Sequence, residues 1–270
     1  MKNGSKSYDE IFIKGQLGLI DIQRLLPSFK ITLDVLFQKC TLIMPRYYTI
    51  ASSSQMHPED LHIAISLSTM NSTVNGQTVK REGMVSGYLN EIWSKWQAGE
   101  KVAVSSRCFV KDSNFVMPAS NETPMIMVGP GTGVVPFIGF MQERQKGREG
   151  APDLELGDAH LYFGCREQNT DFIYRDYMAD MKDAKIIQSL NVALSRPTEE
   201  GAVKQYVQDV LGQNRDYIKT MLTEQNGEFF VCGATKMGKD VETLLKDILG
   251  VPGFKQLQTQ KRYKSELWSS

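Results

Sequence analysis

The pattern of apolar and polar positions changes character after Met117. Before it, short β-rich runs alternate at Arg46–Ala51, His62–Ser68, Lys101–Cys108 and Phe115–Met117, bounded by turn residues such as Asn75-Gly76 and Ala98-Gly99. Period-two alternation between such turns predicts an antiparallel sheet or barrel over residues 45–118. A helix interrupts it, starting near Met84 and carrying Leu89, Ile92 and Trp93. After Pro124, apolar runs at Met125–Val128, His160–Gly164, Ile187–Ala193 and Glu228–Cys232 alternate with helix-periodic stretches. Those stretches lie near Pro136–Lys146, Tyr174–Lys182, Tyr206–Gly212, Asp216–Glu224 and Gly238–Leu249. Strand–helix alternation of this kind predicts an α/β fold over residues 119–270, doubly wound around a parallel sheet. Met117 to Thr123 reads as the linker. Residues 1–44 fit neither half; Ile11–Leu26 and Ile31–Cys40 read as two short amphipathic helices parted by Pro27.

At 270 residues the chain is long enough for two domains, each with its own core. Hydrophobic and charged contents of 41% and 23% are ordinary for a globular protein. Lys+Arg and Asp+Glu balance at 31 each, so no global field favours nucleic acid or an anionic membrane. Any anion site must be built locally. No apolar run reaches the roughly 20 residues that cross a bilayer, and MKNGSKSYDE lacks the apolar core of a signal peptide. The expected location is cytoplasmic, with free thiols. The four cysteines (Cys40, Cys108, Cys165, Cys232) form no CxxC pair, and His57, His62 and His160 sit beside no nucleophile motif. Metal sites and hydrolytic triads are not expected.

The most specific stretch is MVGPGTGVVPFIGFMQER, Met127 to Arg144. An apolar strand ends in Gly129, Gly131 and Gly133, with Thr132 between the last two, and a helix follows from about Pro136. Glycines permit a tight turn and close backbone approach to an anion, and a helix start attracts phosphate. A pyrophosphate cradle and a plain tight turn both fit these residues.

Other segments add candidates of the same kind. In PRYYTIASSS, Arg46 suits a phosphate and Tyr48 falls on the same face, though two core tyrosines beside a surface arginine would read alike. In REGMVSGYL, Gly83 and Ser86 open a helix, as a second anion cradle or as a simple cap. In LNVALSRPTEEGAVKQYVQ, Ser195 and Arg196 end a buried strand, with Lys204 and Tyr206 following. A hydroxyl, a guanidinium and an ammonium there suit a phosphomonoester such as the 2′-phosphate of NADP, unless the loop is merely solvated. FFVCGATKMGKDV repeats the strand–glycine–helix order with Cys232 at the strand end, where a packing role is equally open. The tail KSELWSS carries Trp268, and a frayed tail rarely holds a large aromatic that does not dock.

Taken in order, RYYTIASSS, GMVS, VGPGTGVVPFIGFMQER, YFGCREQNTDFIYRDYM, LNVALSR with K-x-Y-x-Q, VCG and a terminal aromatic resemble one family. The chain is similar to the ferredoxin–NADP reductase module of diflavin reductases, the group that includes NADPH–cytochrome P450 reductase, from about Leu17 onward. The resemblance implies an incomplete antiparallel FAD-binding β-barrel and an NADP-binding doubly wound domain. It implies FAD held by Arg46 at the pyrophosphate, by Tyr48 and Thr49 at the isoalloxazine, and by Gly83, Met84, Val85 and Ser86 at the pyrophosphate. Gly131 and Thr132 would face NADPH, and Ser195, Arg196, Lys204, Tyr206 and Gln208 would hold its adenosine end. The catalytic group it implies is Thr49, Cys232, Glu266 and Trp268, with Cys232 beside the nicotinamide and Trp268 stacked over the flavin.

Several positions depart from the family pattern. Thr49 replaces the usual Ser, Glu266 replaces the usual Asp, and Ala234 stands where an Asp commonly follows Cys232-Gly233. Tuned rather than abolished hydride transfer is expected. The family's FMN domain and the opening strands of its barrel are also missing, and residues 1–44 resemble only the end of its helical connecting insert. The expectation is a reductase module passing hydride from NADPH to FAD and electrons to an FMN domain or another one-electron acceptor, such as a hemoprotein like cytochrome P450. FMN would reside in a missing domain or partner, and any parent protein would reach the endoplasmic reticulum membrane through a segment outside these residues. A non-catalytic structural subunit remains open, as does the same module of a sulfite reductase flavoprotein, methionine synthase reductase or pyruvate–NADP oxidoreductase.

Overall fold

The computed structural model describes residues 8–9, 17–74, 77–104, 106–199 and 201–268. The Asn75-Gly76 turn and the start of the first expected helix lie outside these. The chain forms two compact units, Met1–Tyr47 with Ile65–Cys108, and Tyr48–Ala64 with Phe109–Ser270.

In the first unit, α1 (Leu19–Leu25) and α2 (Leu33–Lys39) are the two short helices anticipated from the apolar periodicity. Strands β1 (Thr69–Val74) and β2 (Gln77–Glu82) pair antiparallel from Thr69↔Glu82 to Val74↔Gln77, and α3 (Met84–Gln97) follows. Asp21 of α1 is buried, with its carboxylate paired to Arg81 of β2.

The runs expected as strands at Arg46–Ala51, His62–Ser68, Lys101–Cys108 and Phe115–Met117 form no ladders among the described residues. Their one pairing is the antiparallel bridge Ile50↔Ile63. Alternation supplies a strand's two faces, but a ladder also needs a neighbouring backbone within about 5 Å. The observed strands instead occupy the polar segments Thr69–Val74 and Gln77–Glu82, each of which supplies the other's neighbour.

The second unit is built on a parallel five-stranded sheet in the order β5-β4-β3-β6-β7. Its strands are β3 (Met125–Val128), β4 (Ala159–Cys165), β5 (Ser189–Leu194), β6 (Glu228–Ala234) and β7 (Tyr263–Trp268). The crossovers run through α4 (Val135–Gly150), α5 (Arg175–Asp183), α6 (Val207–Gln213), α7 (Arg215–Thr223) and α8 (Thr235–Thr259), the last broken at Gly250 with φ 71°. Helices on both faces explain the near-continuous apolar strands, which must be buried on each side. Met125, Met127, Leu161, Phe163, Phe230 and Cys232 pack under α4 and α5, while Ile126, Val128, Tyr162, Phe229 and Val231 pack under α6 to α8.

Two features position the linker and the C-terminus. Arg144 of α4 is fully buried and donates to the carbonyls of Ile186 at 3.1 Å, Gly157 at 2.6 Å and Asn121 at 3.5 Å. The C-terminal segment, anticipated as a frayed tail with a docked ring, is instead strand β7, parallel to β6 from Phe229↔Tyr263 to Ala234↔Trp268. Among the described residues, no helix is long and apolar enough to cross a membrane.

Candidate functional site

Chain order reverses at β3. From it the sheet grows one way through β4 and β5 and the other way through β6 and β7. In open parallel sheets the crevice at such a reversal, beyond the carboxyl ends of the strands, is where ligands bind. The glycine turn lies there. It forms a 3₁₀ turn over Gly131–Val134 that runs straight into α4, with Pro136 in the helix's first turn.

The three glycines serve different needs. A Cβ on Gly129 would lie 2.4 Å from the Gly133 carbonyl oxygen, and one on Gly133 would lie 2.2 Å from that of Cys232. Their closeness is to other protein backbone, which brings the turn down onto the end of β6. Gly131, at φ +56° with nothing within 4 Å of an added Cβ, is the open member. It and Thr132 are half-buried, and the turn is open to its surroundings at Gly131.

Beside the turn, Cys232 is fully buried and stands opposite Glu266 in the β6–β7 register. Thr49 Oγ1 donates to Glu266 Oε1 at 3.1 Å. Burial, reinforced by the Glu266 carboxylate, pushes the Cys232 thiol far up, so it keeps its proton. Trp268 lies two residues beyond Glu266 on the same strand, is 37% exposed and pairs with Ala234. The structure thus gathers Thr49, Cys232 and Glu266 around one carboxylate, with Trp268 on the same strand face.

At the carboxyl end of β5, the Ser195 amide donates to the Cys165 carbonyl at 3.0 Å and the Arg196 amide to that of Arg166 at 2.8 Å. The Ser195 hydroxyl donates to the same Cys165 oxygen at 3.3 Å. The loop returns when the Gln205 amide donates to Leu194 O at 2.8 Å, and α6 starts with the Tyr206 amide on Asp209 Oδ2 at 2.8 Å. Between these anchors Arg196, Lys204 and Tyr206 are exposed, with Lys204 Nζ 4.9 Å from the centre of the Tyr206 ring, while Gln208 is half-buried. Sequence reasoning passed over Arg166. Its backbone carries Arg196, and its exposed guanidinium adds a cation at the same sheet end, paired to Asp171 at 3.3 Å. The signal was in the quoted run YFGCREQNTD, where an arginine directly follows a buried strand.

The other candidates lie on other segments of the chain. Arg46 is exposed and donates to Met44 O at 2.5 Å, and Tyr48 is 37% exposed. Gly83 is the N-cap of α3, so the first-turn amides of Met84, Val85 and Ser86 lack helical acceptors. The Ser86 hydroxyl is buried and accepts from the Ser68 amide at 3.2 Å, holding the helix start to the approach of β1. The plain-cap reading of Ser86 does not apply, since it sits three residues into the turn.

Residues 1–88 match the FAD binding domain family, and residues 127–243 match the oxidoreductase NAD-binding domain. The chain is 35% identical to the NADPH–cytochrome P450 reductase of Musca domestica, across 98% of the chain and 39% of that protein. It is 34% identical to the same enzyme of Rattus norvegicus, across 98% of the chain and 39% of that protein. Methionine synthase reductase of Mus musculus is 32% identical across 99% of the chain and 42% of that protein. The chain therefore spans about two-fifths of the length of these relatives. An FAD-binding segment is thus followed by an oxidoreductase NAD-binding segment, and nearly the whole chain is similar to the corresponding two-fifths of these NADPH–cytochrome P450 and methionine synthase reductases.

Proposed function

We propose that this chain is the module that takes hydride from NADPH onto bound FAD and passes electrons singly to an FMN domain or another one-electron acceptor, such as a hemoprotein. In this reading residues 1–44 are the remnant of a helical connecting insert, 45–118 a partial antiparallel FAD-binding barrel and 119–270 the NADP(H) domain. FAD supplies the two-electron to one-electron conversion, and the protein supplies binding, orientation and electrostatics.

The observation that carries the reading is the Thr49–Glu266–Cys232 arrangement at the carboxyl end of β6. Loss of hydride turns a neutral nicotinamide into a cation, and a fixed carboxylate favours that change of charge. Thr49 Oγ1 donates to Glu266 Oε1 and so fixes its rotamer. Cys232, kept as a thiol by burial, presents a small polarisable group without a competing charge. Trp268 would cover the flavin face that the nicotinamide must reach. Arg196 and Lys204, exposed on their pinned loop, suit the 2′-phosphate, with Ser195, Tyr206 and Gln208 toward the adenosine. Gly131 and Thr132 suit the pyrophosphate of NADPH. Arg46 and the first-turn amides of α3, from Gly83 to Ser86, suit that of FAD, and Tyr48 with Thr49 suits its ring system.

The test is anaerobic mixing of the FAD-loaded chain with NADPH while flavin absorbance is followed. Bleaching by NADPH, much faster than by NADH, is expected. A loaded chain that NADPH leaves oxidised would make this a binding module instead.

A further inference from the structure

The segment that bears Thr49 is held by helix α4 through contacts the site itself does not explain. Ser53 and Gln142 are polar residues only 5% and 7% exposed, and they bind each other, the Ser53 amide donating to Gln142 Oε1 at 2.8 Å. Next to Gln142, the Glu143 carboxylate accepts the Ser53 hydroxyl on one oxygen and Gln55 Nε2 on the other at 2.6 Å. The Gln55 amide closes the knot by donating to Ser53 Oγ at 3.1 Å. About one helical turn earlier, Gly139 lies against the same segment. A Cβ there would sit 3.7 Å from Ala51 C and from Ser52 C and O. From the other side, the Ala51 amide donates to His62 O at 2.8 Å and the His62 amide to Ser52 Oγ at 3.0 Å.

Buried polar groups that satisfy one another fix a geometry more strongly than apolar contact does, because any shift leaves a donor or acceptor unpaired. The knot lies only four residues beyond Thr49, too short a span for slack. The helix that ties it also starts at the glycine turn, so one rigid element carries both the dinucleotide turn and the support of Thr49.

We propose that Gln142 and Glu143 are positioning residues for hydride transfer, clamping Ser53 so that Thr49 meets Glu266 and the flavin in register with the nicotinamide turn. This rests on the hydride-transfer reading above. Neither side chain touches a cofactor; both act through the backbone of residues 49–53.

The experiment compares Gln142→Ala, Glu143→Ala and Glu143→Gln with the unsubstituted full chain. Amide hydrogen exchange over residues 49–53 is measured without flavin, and the limiting rate of flavin reduction and the NADP⁺ dissociation constant are measured with FAD bound. Both alanine variants should exchange faster at 49–53. They should reduce flavin roughly ten- to a hundredfold more slowly, the scale of a misplacement near one ångström, with NADP⁺ affinity within about threefold. Glu143→Gln keeps an acceptor for the Ser53 hydroxyl and should recover most of the rate.

Gly139 gives a second arm that leaves the polar knot intact. Gly139→Ala fits the available space, whereas Gly139→Leu pushes on Ala51 and Ser52 and should reproduce the slow reduction. Unchanged exchange in the alanine variants, or unchanged reduction rates beside faster exchange, overturns the clamp. A chain that binds FAD but is not reduced by NADPH removes the hydride-transfer reading, while the exchange experiment still reports on the clamp by itself.

Discussion

Arg196 is fixed at its backbone and loose at its guanidinium. Its amide is bound to the Arg166 carbonyl at 2.8 Å, while the side chain is exposed at the end of β5. A side chain so placed meets a ligand beyond the sheet without rearranging the core. Charge-assisted bonds to a phosphate contribute about 1.5–3 kcal/mol each. Arg196→Ala is therefore expected to weaken NADPH binding roughly ten- to a hundredfold, and NADH, which lacks the phosphate, is expected to change little. Inhibition constants for NADP⁺ and NAD⁺ measure this, and equal losses for both would remove Arg196 from the phosphate site. Cations and aromatics at strand ends were legible in the sequence because their chemistry is carried by residue type. The glycines were legible only as a set. Gly129 and Gly133 are small because of Gly133 O and Cys232 O, and those neighbours appear only when β3 and β6 lie side by side. Gln142 and Glu143 were invisible for the same reason, since their partner Ser53 is distant in sequence.

At the scale of elements, the parallel sheet was readable because strands buried on both faces are apolar runs, and intervening helices have their own period. Strand β7 was missed because YKSELW mixes apolar and polar residues with none fully buried, and it becomes a strand only by pairing with buried β6. Lys264 reinforces that pairing, reaching Glu228 at 2.7 Å and the Val116 carbonyl at 2.9 Å. The opposite, amino-terminal ends of β4 and β5 hold a polar chain with one consistent direction. Asn191 Nδ2 donates to Ser189 Oγ at 2.7 Å, and Ser189 Oγ lies 2.8 Å from His160 Nδ1. His160 Nε2 lies 2.7 Å from the Tyr217 hydroxyl, which donates to Asp158 at 3.1 Å. Tyr217 gives its proton to Asp158, so His160 must be protonated on Nε2 and accept at Nδ1. Burial lowers the His160 pKa from its ordinary 6.5, outweighing the pull of Asp158 in the other direction. The unfolded chain therefore binds this proton more readily than the folded one. His160 stabilises the fold fully above about pH 6.5, and the contribution is lost as pH falls below that value. Thermal midpoints of wild type and His160→Gln between pH 7.5 and 5 should converge on acidification, because the variant lacks this titration. Parallel pH curves would mean that His160 does not titrate against folding.

For the whole molecule, a division of labour follows from where the cores lie. The parallel sheet buries both its faces under helices of its own unit, in clusters drawn from residues 125–257. Arg46 belongs to the other unit and is exposed there. This half was the less legible one. A barrel depends on which run pairs with which, and alternation alone sets no partner, whereas a parallel sheet declares its connections through the helices between its strands. Flavin loss is therefore expected to leave the parallel sheet folded. Arg46→Ala removes the guanidinium proposed for the FAD pyrophosphate, a loss of about 1.5–3 kcal/mol in affinity, and purified protein should be depleted of flavin. The cores of the sheet unit are drawn from residues 125–257, so NADP⁺ binding should stay within about threefold of wild type and the thermal midpoint of this unit should hold. The flavin-to-protein absorbance ratio and a calorimetric NADP⁺ titration measure both sides. Full flavin occupancy in the variant would dismiss Arg46 as the pyrophosphate ligand. Loss of NADP⁺ binding along with flavin would mean instead that the dinucleotide site needs the flavin in place.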